Sequence, residues 1–212
     1  MLGAMPRRVT VVEVGPRDGL QNERIEVPTG AKAAFIDALS DAGLAVIEAT
    51  SFVSARSIPQ LADADEVMRR IKRRKGVRYP VLVPNERGLE RALRAGAFDI
   101  AVFTAASEEF NRRNINASID ESIDRFVPVL ARAKREGVWV RGYISMCFGS
   151  PFDETIAPAK VVEVAQRLAA LGIDEISIGD TIGVATPNQV VDLIGSLTKS
   201  IDVDRLAMHF HD

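Results

Sequence analysis

The regular alternation of β-rich and helix-like segments constrains this chain more than any single residue does. Short runs of β-branched and apolar residues recur at 9–14, 44–49, 78–83, 98–103, 138–145, 173–178 and 205–210. Helix-like stretches lie between them. In 32–42, Phe35, Ile36 and Leu39 share a face, and Gly43 stands where a C-terminal cap belongs. Ser118-Ile119-Asp120-Glu121 is a capping box and predicts a helix with Ile123, Phe126, Val127 and Leu130 turned inward. Ala157-Pro158 opens another, with Val161, Val164, Ala165 and Leu168 inward and Gly172 past its end. Thr186-Pro187-Asn188-Gln189 repeats the capping box, and Leu89, Leu93 and Gly96 mark a shorter helix. Strands and helices alternating at intervals of roughly 20 to 40 residues predict parallel strands joined by helical crossovers.

A doubly wound sheet and a (β/α)8 barrel both fit that pattern. No Gly-x-Gly-x-x-Gly follows the first run, which weakens the nucleotide-binding sheet. The placement of polar residues points to the barrel. Glu13 with Arg17-Asp18, Glu48 with Thr50-Ser51, Asn85, Thr104, Ser145, Asp180-Thr181 and His209 with His211 all fall at the C-terminal ends of runs. That is the mouth of a TIM barrel, where its active sites lie. The expected fold class is α/β, a TIM (β/α)8 barrel, forming one domain over residues 1–212. Seven strands are counted, so the barrel is expected to be incomplete, with the eighth strand and its neighbouring segments beyond residue 212. If those segments cover roughly 1,000 Å² of apolar surface, their loss forfeits on the order of 25 kcal/mol, an upper estimate. A typical domain has about 5–15 kcal/mol in total, so residues 1–212 alone are expected to be poorly soluble or domain-swapped, and inactive.

With 47% hydrophobic residues the chain can bury a substantial core, and its net charge of −2 offers nothing to a polyanion. The basic run Arg69-Arg70-Ile71-Lys72-Arg73-Arg74-Lys75 falls at a predicted helix end, where cations complement the helix dipole and face water. Nucleic acid is therefore not an expected partner. A membrane is not one either, because no apolar stretch approaches the ~20 residues of a span. The opening Met1 to Arg8 is too short and broken for a signal peptide, and Met5 offers an alternative start. The single Cys147 excludes an internal disulfide and fits a reducing cytoplasm; as a side chain it reads as a small hydrophobe.

The only two histidines, His209 and His211, stand at the end of the last run. Positions i and i+2 of a strand project from one face, so both imidazoles point together and Phe210 turns away. In a closed barrel, strands one and seven are separated only by strand eight, so Asp18 can join them. One carboxylate and two imidazoles make a mixed donor set suited to a divalent cation, with positions left for substrate. Asp180 and Glu48 are further candidates for acid–base work or for orienting ligands. Each also has a purely structural reading: Asp18 capping a turn, Arg17 paired with Glu48, and Asp180 capping the helix that follows.

Glu13-Val14-Gly15-Pro16-Arg17-Asp18-Gly19-Leu20-Gln21-Asn22-Glu23 resembles the signature of the 3-hydroxy-3-methylglutaryl-CoA lyase family. So do Ile47-Glu48-Ala49-Thr50-Ser51-Phe52-Val53-Ser54, Pro80-Val81-Leu82-Val83-Pro84-Asn85 and Arg112-Arg113-Asn114-Ile115-Asn116. Arg141-Gly142-Tyr143-Ile144-Ser145, Gly179-Asp180-Thr181-Ile182-Gly183 and His209-Phe210-His211-Asp212 continue the match in the family's order. The resemblance implies a metal-dependent TIM-barrel lyase that splits an acyl-CoA, 3-hydroxy-3-methylglutaryl-CoA, into acetyl-CoA and acetoacetate in leucine breakdown and ketone-body formation. It implies Asp18, His209 and His211 as ligands of Mg²⁺ or Mn²⁺, and Arg17 as the group neutralising enolate charge. It further implies Glu48 as an orienting carboxylate, Asp180 in hydroxyl deprotonation, Gln21 as a lesser substrate contact, and a homo-oligomer, a dimer. Arg24 stands where relatives often carry Lys and could contact a CoA phosphate. The family's catalytic cysteine and an asparagine ligand lie beyond strand seven, and Cys147 substitutes for neither. Two alternatives stay open: a condensing enzyme of the isopropylmalate synthase type, which shares Arg-Asp-Gly and His-x-His, and a non-catalytic remnant.

Overall fold

The computed structural model describes residues 8–152 and 155–211, which fall into two compact units. The leader reading at residues 1–7, and Asp212 of the terminal motif, lie outside the described residues. The first unit comprises residues up to Val83 together with Arg87–Asp99, and the second Pro84–Glu86 together with Ile100 onward.

In the first unit, β1 (Val12–Glu13) pairs in parallel with β2 (Val46–Ile47), and β3 (Thr50–Ser51) pairs in parallel with β4 (Val81–Leu82). β2 and β3 are the two ends of one extended run. The amides of Ile47, Ala49 and Phe52 donate to the carbonyls of Arg78, Pro80 and Leu82, while Glu48 donates the other way, to Glu13, at 2.8 Å. One run flanked on both sides thus accounts for two short strands where the sequence predicts one. Pro80 has no N–H to give, so it takes part only through its carbonyl. Helix α1 (Thr29–Asp41) starts ahead of its predicted boundary and buries Lys32, Ala33, Ile36 and Ser40. Phe35 does not belong to that stripe: it is 39% exposed, a correction to the predicted inward face. The basic run begins on helix α2 (Ala64–Arg70) and continues past it. Its four arginines are engaged locally, Arg69 and Arg70 on Glu66, Arg74 on Asp41, and Arg73 on backbone carbonyls that include Ala95. Helix α3 (Glu86–Arg94) then leads to β5 (Asp99–Ala105).

In the second unit the strands run in the order β5, β6 (Trp139–Ser145), β7 (Glu175–Asp180), β8 (Leu206–Phe210). β7 lies parallel to both β6 and β8, as helical crossovers require. The register pairs Arg141 with Glu175, Tyr143 with Ser177, and Gly179 with His209. Alternation therefore puts Arg141, Tyr143, Glu175, Ser177 and His209 on one face, and Gly142, Ile144, Ile176 and Ile178 on the other. The second face is covered by helix α6 (Pro158–Ala170), which buries Val161, Val164, Ala165 and Leu168 as predicted. Gly142 makes room there: an added Cβ would come within 3.2 Å of Leu168 and 3.0 Å of Ile173, so those side-chain ends would have to give by a few tenths of an ångström.

Both predicted capping boxes form. Ser118 accepts from the Glu121 amide and Glu121 accepts from the Ser118 amide, at the head of α5 (Ile119–Arg135). Thr186 and Gln189 do the same for α7 (Pro187–Leu197). On α5, Ile123, Phe126 and Leu130 are buried but Val127 is 45% exposed, so the inward stripe is narrower than predicted. Helix α4 (Glu108–Ile115), capped by Ser107, stands where the sequence pattern predicts no element. No helix among the described residues is long and apolar enough to cross a membrane.

Candidate active site

The first group of site residues grows out of the turn after β1. Gly15 to Gly19 form a single wide helical turn, in which the amides of Arg17 and Asp18 both return to the Val14 carbonyl. The Gly15 amide donates to Glu13 Oε1 at 2.7 Å, and a Cβ on Gly15 would lie 2.8 Å from that same oxygen. A side chain at position 15 would therefore displace the Glu13 carboxylate from that amide, and the turn sets Arg17 and Asp18 side by side. Arg17 Nη1 donates to Asp18 Oδ1 at 2.7 Å and Nη2 donates to Glu48 Oε2 at 3.2 Å, while Nε lies 3.0 Å from Glu48 Oε1. Glu48 is fully buried and Arg17 only 7% exposed. A carboxylate taken that far from water requires a counter-charge, and the planar guanidinium supplies it in a fixed orientation. Of the two readings open for Arg17 and Glu48, pairing and chemistry, the pairing is present, and it leaves the guanidinium held in place.

Gln21 follows on the same segment, and its Oε1 is buried without a hydrogen-bond partner among the described residues. Thr50 Oγ1, on β3, is in the same state. Buried polar atoms are nearly always satisfied, so both are suited to a bound group or ordered water. Arg24 is exposed.

The second group lies on the second unit. The imidazoles of His209 and His211 stack, with centroids 4.7 Å apart and planes at 25°, while Phe210 is 53% exposed. Strand alternation places them as the sequence predicts. Tyr143 meets His209 edge-on, 6.1 Å between centroids and 79° between planes. Asp180, at the end of β7, is buried. Its Oδ1 accepts from the Val184 amide and its Oδ2 from the Ala185 amide, both at 3.0 Å. It thus ties down the loop ahead of α7, whose cap is Thr186 rather than Asp180.

Cys147 follows β6 and is buried, donating its thiol to the Ile144 carbonyl. Burial pushes the thiol up to about 12, with the nearby Asp180 charge adding to the rise and the hydrogen bond with the Gly179 backbone opposing it. The thiolate is the reactive form, so Cys147 is expected to resist iodoacetamide at pH 8 in the folded protein and to react once denatured. Cys147→Ala is expected to keep turnover, and loss of turnover at an unchanged melting temperature would contradict this. The ordinary thiol value is 9.0, so the fold's preference for the neutral form is intact below it and drains as pH climbs toward about 12.

A family profile described as HMGL-like matches residues 8–212. The chain belongs to the HMGL-like family. It is 51% identical over 211 residues to the mitochondrial hydroxymethylglutaryl-CoA lyase of Bos taurus, covering 100% of this chain and 65% of the relative. It is 53% identical to the cytoplasmic 3-hydroxy-3-methylglutaryl-CoA lyase of Rattus norvegicus, covering 100% of this chain and 62% of that protein. The crystal structure of hydroxymethylglutaryl-CoA lyase from Pseudomonas aeruginosa superposes with a TM-score of 0.95 at 49% identity, over 98% of this chain and 69% of that one. The chain thus spans somewhat under two thirds of the curated relatives' length. The α/β fold is that of these TIM-barrel lyases, and the family is metal-dependent.

Proposed function

We propose that the protein carrying this chain cleaves 3-hydroxy-3-methylglutaryl-CoA to acetyl-CoA and acetoacetate. The observation that carries this reading is the buried Arg17 guanidinium, locked between Glu48 and Asp18 inside the family's longest motif. A charge held that way needs little reorganisation when an oxyanion develops beside it.

Asp18, His209 and His211 are proposed to hold a Mg²⁺ or Mn²⁺ ion. One carboxylate oxygen and two imidazole nitrogens suit such a cation, and the stacked rings present their nitrogens from a single strand end. When bound, the cation supplies Lewis acidity toward the tertiary hydroxyl and a fixed positive charge for the substrate. Asp180 accepts the hydroxyl proton, its orientation set by the Val184 and Ala185 amides. The carbon–carbon bond then breaks, leaving a carbonyl on acetoacetate and placing the electron pair on the thioester fragment as an enolate. Arg17 stabilises the enolate oxygen, Glu48 keeps Arg17 in place, and one proton delivered to the enolate carbon, matching the one Asp180 took from the hydroxyl, completes acetyl-CoA. Gln21 Oε1 offers a hydrogen-bond acceptor to the substrate, and the exposed Arg24 suits a CoA phosphate. Cytoplasmic residence and a homodimer belong to the same proposal; the cytoplasmic relative supports the first.

Acetoacetate release from 3-hydroxy-3-methylglutaryl-CoA, dependent on added Mg²⁺ or Mn²⁺, is the expected result for the whole protein. Release of CoA from acetyl-CoA that requires a 2-oxoacid, with no acetoacetate formed, would move the protein to the condensing branch. Neither activity, together with no cation binding, would make it a non-catalytic remnant.

A further inference from the structure

We propose that Arg141 is a positioning residue that fixes the Tyr143 hydroxyl as a hydrogen-bond donor beside His209. The proposal rests on the lyase reading above.

Arg141 and Tyr143 are i and i+2 on β6 and share a face with Glu175 and Ser177 of β7 and His209 of β8. Arg141 is 2% exposed. Its Nε donates to Glu175 Oε1 at 2.6 Å, its Nη2 contacts the same oxygen at 2.5 Å, and its Nη1 donates to the Tyr143 hydroxyl at 3.3 Å. The guanidinium also lies 5.6 Å from the centroid of Trp139 and 5.8 Å from that of Tyr143, so it is held by two ring faces besides the carboxylate. Ser177, the small residue opposite Tyr143, lets the phenol ring cross β7 and meet His209 edge-on.

A guanidinium has five donors and no acceptor. When it donates to the phenol oxygen, the hydroxyl keeps its own proton for a different partner. The adjacent positive charge also makes that proton a better one to share. The edge-on contact then fixes where this donor stands relative to an imidazole proposed to ligate the cation. Stability is a weak reason to place an arginine here, because a buried ion pair recovers little more than its desolvation cost. A positioned hydroxyl beside the imidazole proposed to ligate the cation gives the arrangement a use.

The test is a double-mutant cycle in the whole protein, using Arg141→Lys and Tyr143→Phe. Each single variant is expected to lower kcat about 10- to 100-fold, with KM and Mn²⁺ Kd by paramagnetic resonance changed by no more than about twofold. The double variant is expected to be no slower than Tyr143→Phe alone, because Arg141 acts through that hydroxyl. A parent-like kcat for Arg141→Lys, or losses that multiply in the double variant, overturns the proposal. Should Arg141→Lys fail to fold, Tyr143→Phe decides alone, since it deletes one oxygen; a parent-like kcat then overturns the role. A parent protein that releases no acetoacetate and binds no Mn²⁺ overturns the lyase reading and this role together. An active parent with an additive cycle overturns only the role of Arg141.

Discussion

Arg17→Met is expected to damage the protein twice over, in its stability and in its turnover. Glu48 is fully buried, and its counter-charge in the first unit is the Arg17 guanidinium. Removing one partner of a buried ion pair leaves an uncompensated charge, at a cost of about 3–5 kcal/mol. For a chain of this size that lowers the melting temperature by roughly 10 °C, at about 2–4 °C per kcal/mol. The catalytic loss is separate: deleting a preorganised oxyanion partner lowers kcat by about 10²–10³-fold. Two further variants pull the effects apart. Pairing Arg17→Met with Glu48→Met removes both charges, and it should recover most of the melting temperature while restoring no turnover. Arg17→Lys keeps a charge near Glu48 but loses the planar fork, so it should melt closer to the parent and still turn over slowly. Thermal melts and acetoacetate assays on the set check this. Turnover in the doubly substituted protein would show that Arg17 serves Glu48 and not the reaction.

His209→Ala is expected to lower Mn²⁺ affinity by at least about 100-fold and to abolish metal-dependent turnover, since even residues behind a ligand can cost 10–100-fold. Titration calorimetry measures the first effect. Phe210→Ala is the internal control, because it lies between the two imidazoles in sequence and its side chain is on the other side of the strand, 53% exposed. It should bind Mn²⁺ as the parent does. Equal affinity in His209→Ala and the parent would remove these histidines from the cation site.

The elements that sequence predicts well are those governed by local rules. Ser118 with Glu121 and Thr186 with Gln189 close their capping boxes within four residues, so nothing distant is needed to find them. The alternation at 209–211 likewise follows from the two-residue repeat of a strand. Inward faces were less legible. Phe35 and Val127 fit an apolar stripe on a helical wheel, but the partner surface decides how wide a stripe is covered. Helix α4 escaped because Glu108–Ile115 has no apolar stripe to read, although Ser107 followed by two glutamates was an available N-terminal signal. The Arg17–Glu48 pairing was foreseeable as one of two options, since opposite charges at the ends of neighbouring strands can meet. The chain of contacts from Glu175 through Arg141 and Tyr143 to His209 was not, because it depends on the register of three strands. The two amides that grip Asp180 depend on the path of its loop, which residue types alone do not specify.

The burial of Cys147 has a practical side. The sequence holds one cysteine, and its thiol is enclosed and ionises only near pH 12. A cysteine introduced on an exposed helical position, Val127→Cys for instance, would therefore take a maleimide spin label without competition from Cys147. Broadening of that label's signal on adding Mn²⁺ would report the cation's arrival in the folded protein without any substrate present.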